Sequence, residues 1–141
     1  MSVTRKASTR WTGDLQSGNG VTSFVSSGLA DAPVTWASRA NEPEGKTSPE
    51  ELIAAAHTSC FSMAFSAALG KAGYTPEELV TEAAVDFKPG TGITGIALTV
   101  RAVIPGIETD EFNEIANGAK ENCPVSQALK AVPISLEATL G

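Results

Sequence analysis

Alternating apolar and polar residues mark three strands in the second half of the chain. Ala83, Val85 and Phe87 share one face of residues 80–87, and Glu82, Ala84 and Asp86 share the other. Ile96, Leu98, Val100, Ala102 and Ile104 repeat that period over a longer stretch, and Ile134, Leu136, Ala138 and Leu140 repeat it at the end. A period of two is what a strand with one buried face requires. The first forty residues give shorter signals. Ala7, Thr9 and Trp11 alternate with Ser8, Arg10 and Thr12, and Ser17-Gly18-Asn19-Gly20 predicts a turn before a return strand over 21–25. A brief apolar stretch at 34–36 precedes a polar loop over 38–46.

Two segments follow a helical rule instead. Ser48 suits an N-cap, Pro49 the first helical position, and Glu51 the third residue of a capping box. The predicted helix runs to about Lys71, with Gly73 as its stop. Leu52, Ile53, Phe61, Met63, Phe65 and Leu69 fall on several of its faces, so no single stripe is apolar. A helix apolar all round must be surrounded by protein, here by a wrapping sheet or a second subunit. The second helix is predicted to be capped by Thr109, with Phe112, Ile115, Ala116 and Ala119 at i, i+3, i+4 and i+7. Pro124 then opens a short helix to Lys130, directly after Cys123. The sum is an α+β chain of mainly antiparallel strands that needs a helical layer on one face.

Composition narrows the picture. The chain has 141 residues, 42% of them hydrophobic and 18% charged, which is ordinary for one folded domain spanning 1–141. A net charge of −6 argues against nucleic acid or an anionic membrane as partner. No apolar signal-peptide core follows the basic start. Leu52 to Leu69 holds eighteen residues without a charge, but they are rich in Ala, Ser and Thr, enclose His57, and follow Glu50 and Glu51. A membrane span is therefore not expected, and the chain reads as soluble and cytoplasmic. Gly90-Thr91-Gly92-Ile93-Thr94-Gly95 matches G-x-G-x-x-G by letter. A dinucleotide loop must open a helix, and here a strand follows, so the segment reads as a turn.

Two cysteines and one histidine bound the chemistry. In a reducing compartment such a pair reads as cycling or ligating thiols rather than a permanent cross-link. Cys60 sits mid-helix and reads equally as a small core residue. Cys123 precedes a Pro-initiated helix, where backbone N–H groups and the helix dipole favour a thiolate. The two are 63 positions apart, so only the fold can pair them. Arg39, in the polar loop, is the best-placed guanidinium to stabilise such a thiolate, and it reads equally as a surface arginine. His57, Cys60 and Cys123 also offer three soft ligands for zinc, without the usual C-x₂-C spacing.

The string from Thr47 to Ala64, TSPEELIAAAHTSCFSMA, resembles the first signature of the OsmC/Ohr family, the osmotically inducible and organic hydroperoxide resistance proteins. Asn122-Cys123-Pro124-Val125-Ser126-Gln127-Ala128-Leu129 resembles the second, and Arg10-Trp11-Thr12-Gly13-Asp14 and Val103-Ile104-Pro105-Gly106-Ile107 also fit. His57 and Val125 lean towards the OsmC branch. The resemblance implies a thiol-dependent peroxidase with an OsmC-like fold, in which sheets wrap central helices in an intertwined homodimer. Cys60 matches the peroxidatic cysteine, Cys123 the resolving cysteine, Glu50 the active-site glutamate and Arg39 the arginine of the OsmC branch. The implied substrate is an organic hydroperoxide, and the implied reductant is a dithiol of dihydrolipoyl type. Neither a cofactor nor a metal is implied.

In that chemistry Arg39 stabilises the thiolate and developing alkoxide, and Glu50 holds the guanidinium. Phe61, Met63 and Phe65 would shape a pocket for an alkyl tail or form core. On a continuous helix Glu50 and Cys60 stand about 15 Å apart along the axis. One site therefore takes Glu50 from the partner subunit across a two-fold axis. The rival reading keeps the fold and makes the protein a non-catalytic binder of zinc or an apolar ligand.

Overall fold

The computed structural model describes all residues, Met1–Gly141, and divides into two compact units, Met1–Leu52 and Ile53–Gly141. In the first, β1 (Ser8–Thr12), β2 (Asn19–Ser23) and β3 (Ala32–Val34) form an antiparallel sheet in the order β1-β2-β3. The β1–β2 turn is not the expected Ser17–Gly20 segment, because Asn19 and Gly20 already pair with Thr12 and Trp11. Asp14 makes the turn: its Oδ1 accepts from the Ser17 N–H and hydroxyl three residues on, both at 2.7 Å, a local side-chain bond that replaces Asn-Gly chemistry. A Cβ on Gly20 would stand 2.8 Å from the Trp11 ring and 3.0 Å from Val34, so glycine lets that ring lie over β2. The short helix α1 (Trp36–Ala40) follows.

The helix α2 (Pro49–Lys71) starts in the first unit and runs on through the second. Ser48 Oγ accepts the Glu51 N–H at 3.1 Å, as expected of an N-cap. The reciprocal half of the box differs, since the Glu51 carboxylate accepts from the Thr47 hydroxyl instead. At the other end, the Tyr74 N–H reaches Leu69 O and the Gly73 N–H reaches Gly70 O, with Gly73 at φ +93°. These two bonds are a Schellman motif, which explains why the helix stops at a glycine.

In the second unit β4 (Glu78–Lys88) pairs antiparallel with β5 (Gly92–Val103), and β6 (Ile134–Leu140) pairs parallel to β5. The glycine-rich segment at 90–92 is the β4–β5 turn, with positive φ at Gly90 and Gly92. The helices α3 (Thr109–Asn122) and α4 (Pro124–Ala128) lie between β5 and β6. Glu108, not Thr109, occupies the α3 cap and makes no side-chain bond there. α4 ends two residues before Lys130.

Phe61, Phe65 and Leu69 of α2 recur at i, i+4 and i+8 and are fully buried with Leu98, Val100 and Ala102 of β5 and Phe112 and Ala116 of α3. Phe65 lies 5.6 Å from the Phe61 ring and 5.8 Å from Phe112. Burial of each such side chain contributes roughly 1.5–3 kcal/mol. α2 is long and apolar enough to cross a membrane by length and composition, yet this row packs inside the protein's own unit. Ala56, Ser59, Met63, Ser66 and Gly70 form an opposite row that stays exposed, Met63 at 72%. The architecture is α+β and mainly antiparallel, with β5–β6 the parallel exception.

Candidate active site

Arg39 lies in the last turn of α1, not in a polar loop. The sequence signal for that helix is a capping box closed by serine: Thr35 Oγ1 accepts from the Ser38 N–H, and Ser38 Oγ accepts from the Thr35 N–H, each at 3.0 Å. The usual box has Glu or Gln at that third position, which is why the helix was not expected. Ser38 Oγ also lies 2.9 Å from Thr47 O, and the Thr47 N–H reaches Pro33 O, so α1 is tied beside the start of α2. Arg39 Nε then lies 3.0 and 3.2 Å from the two Glu50 oxygens, and Nη2 lies 2.8 Å from Oε2. This fork holds the guanidinium plane rather than a point charge. Glu50 is buried, and the Arg39 side chain keeps 29% of its exposure.

The second unit brings the cysteines together. Cys60 on α2 is half-buried and Cys123, the α4 cap, is fully buried, both as free thiols. Burial pushes the Cys60 thiol above its ordinary value, and so do its hydrogen bond with Cys123 and the proximity of that sulfur. The backbone N–H of Val125 pulls the other way. This reassigns the helix-terminus effect expected for Cys123. Cys123 makes no side-chain cap bond, and an amide of the first α4 turn serves the Cys60 sulfur instead.

His57 is one turn before Cys60 and fully buried. Its Nε2 lies 2.7 Å from the Ser126 hydroxyl on α4, and its Nδ1 has no hydrogen-bond partner. Burial lowers its pKa, because a charged ring would strand a donor in the interior. Ser126 carried no sequence signal beyond its place in the second motif, since its partner is 69 positions away. Phe61 and Phe65 are fully buried in the core, and Met63 is exposed.

The first unit has an apolar groove of about 520 Å³, lined by Trp11, Leu15, Val34, Trp36, Leu52 and Arg39 among others. Sequence reasoning did not anticipate the groove, because Trp11 and Trp36 come to line it only after β1, β3 and α1 fold. No group of three or more His, Cys, Asp or Glu side chains is arranged to hold a metal ion. The His57, Cys60 and Cys123 set thus lacks the geometry that a zinc site needs.

The OsmC-like protein family is matched over residues 42–137. Peroxiredoxin OsmC of Escherichia coli (strain K12) is 43% identical over 134 residues, 93% of each chain. The OsmC like protein from Mycoplasma pneumoniae superposes with a TM-score of 0.76 at 13% identity, covering 99% of both chains. The organic hydroperoxide resistance protein OhrB of Bacillus subtilis gives a TM-score of 0.69 at 21% identity, covering 99% of this chain and 98% of its own. The last two are likenesses of fold.

Proposed function

The chain belongs to the OsmC-like protein family, on its OsmC branch, and from that premise we propose that it is a cysteine-based peroxidase that reduces organic hydroperoxides to alcohols. The observation that carries the reading is the contact between a half-buried Cys60 and a fully buried Cys123. Cys60 is the thiol that solvent reaches, so it meets peroxide first. Its thiolate attacks the terminal oxygen of R–O–OH. The O–O bond breaks, an S–O bond forms, and the alkoxide leaves and takes up a proton as the alcohol. Cys123 then attacks the sulfenic sulfur, forming the disulfide and releasing water, which stops the climb to sulfinic acid. A dithiol, in our reading of dihydrolipoyl type, restores both thiols by exchange.

Arg39 supplies positive charge to the thiolate and alkoxide, and Glu50 orients it. Glu50 and Cys60 stand ten residues apart on α2, about 15 Å of rise. Arg39 and Glu50 of one chain therefore serve Cys60 of a partner in a homodimer with two composite sites. The exposed row from Ala56 to Gly70 supports this reading: its 3–4 spacing is that of a helix seam, and its small residues permit close approach. The Trp11 and Trp36 groove beside Arg39 takes the alkyl tail. Residues 1–141 act as one soluble, cytoplasmic domain.

The test is mass analysis of the thiols before and after one equivalent of an alkyl hydroperoxide. The expected product is a Cys60–Cys123 disulfide. Cys60→Ser should abolish turnover, and Cys123→Ser should consume one equivalent and then over-oxidise. Normal turnover by Cys60→Ser would overturn the reading.

A further inference from the structure

Three contacts join α2 to α4 and its cap: the Val125 N–H reaches the Cys60 sulfur, and two side-chain pairs share one register. His57 meets Ser126, and three residues further along α2 Cys60 meets Cys123, three residues earlier on the α4 side. Residue numbers rise on one element as they fall on the other, so the two segments run antiparallel there. The polar pair is one helical turn from the sulfur pair. His57 is fully buried and Ser126 is 5% exposed, so their bond is screened from water. α4 itself has five residues, far too few to hold its own geometry. Its other side-chain hydrogen bond, from Gln127 to Glu121 O, runs back to α3, so His57–Ser126 is the side-chain hydrogen bond that ties α4 to α2 away from the reacting sulfurs.

We propose that His57 and Ser126 are a positioning pair that keeps α4 in register on α2, so that Cys123 meets the Cys60 sulfenic acid before a second peroxide does. The inference rests on the peroxidase reading above. In the resolving step the S–O bond of Cys60 breaks and the S–S bond forms. The leaving hydroxide departs as water with the Cys123 proton. Disulfide formation requires Cys123 to be aligned with the Cys60 sulfur in every cycle. A buried bond one turn away holds that alignment. Losing it leaves the His57 ring with neither nitrogen partnered and frees α4 to misalign. A second hydroperoxide then oxidises the sulfenic acid to sulfinic acid and is itself reduced to alcohol.

The experiment reads the fate of oxidised Cys60 by mass, as disulfide against sulfinic acid, over a range of alkyl hydroperoxide concentrations. Counting only oxidised Cys60 removes any contribution from unfolded chains. For Ser126→Ala the peroxide concentration giving half sulfinic acid should fall about tenfold, the size expected for one lost buried positioning bond. Ser126→Thr keeps the hydroxyl and should restore it to within about threefold of the original. If Ser126→Ala does not fold, His57→Gln is read in the same way and decides. A partition unchanged in these variants, or equal impairment in Ser126→Ala and Ser126→Thr, overturns the inference alone. An unsubstituted chain that forms no Cys60–Cys123 disulfide overturns the peroxidase reading and this inference with it.

Discussion

Burial and the Cys123 sulfur both hold the Cys60 proton on, and the Val125 N–H opposes them. A peroxidatic thiol must instead be ionised near neutral pH, so a further positive group has to reach it. That is the task assigned to Arg39. Arg39→Met should raise the midpoint of the pH profile for Cys60 alkylation and slow its oxidation by about 100-fold, as loss of an electrostatic stabiliser does. Stopped-flow oxidation and iodoacetamide labelling check both, and an unmoved midpoint would remove Arg39 from the site. The groove makes a separate claim. Trp36→Ala should raise KM for cumene hydroperoxide about tenfold while changing that for hydrogen peroxide less than about twofold, because only the bulky substrate uses the apolar wall. Equal changes for the two peroxides would refute it.

At the scale of the helices, α2 carries His57, Cys60, Phe61 and Phe65 within nine positions, and each meets a different partner. His57 gives a stability signature. Burial holds its pKa below the ordinary 6.5, so the folded chain keeps the ring neutral where the unfolded chain takes up a proton. Its contribution is fully present above about pH 6.5 and is lost as pH falls through the folded value, at most about 1.4 kcal/mol per pH unit. Urea unfolding at pH 7.5 and pH 5.0 should show a larger loss for the natural chain than for His57→Gln, and equal losses would contradict the sign. The start and stop of α2 were readable from Ser48, Pro49 and Gly73, because capping is local chemistry. α1 was not, because serine rather than glutamate closes its capping box. The β1–β2 turn was misplaced because Asp14, a residue with its own turn chemistry, outcompeted Asn19-Gly20.

For the whole molecule, the proposed homodimer is tested at the exposed row of α2. Met63 is exposed, and Met63→Glu would place a charge in the proposed contact, where its desolvation is costly. The expected result is a monomer by light scattering with peroxidase activity reduced at least about 100-fold, since each site as proposed takes residues from two chains. A monomer of full activity would refute the composite site.

The sequence by itself determined the α+β class, the strand faces, the ends of α2 and the residues able to do thiol chemistry, because periodicity, capping and residue type act over a few positions. Only the tertiary structure decided which of them meet. It set the 63-residue closure of Cys60 on Cys123 and the Arg39–Glu50 fork. It also set the His57–Ser126 bond and assigned Phe61 and Phe65 to the core. Those contacts depend on how helices register against one another and against a sheet, which no local pattern encodes.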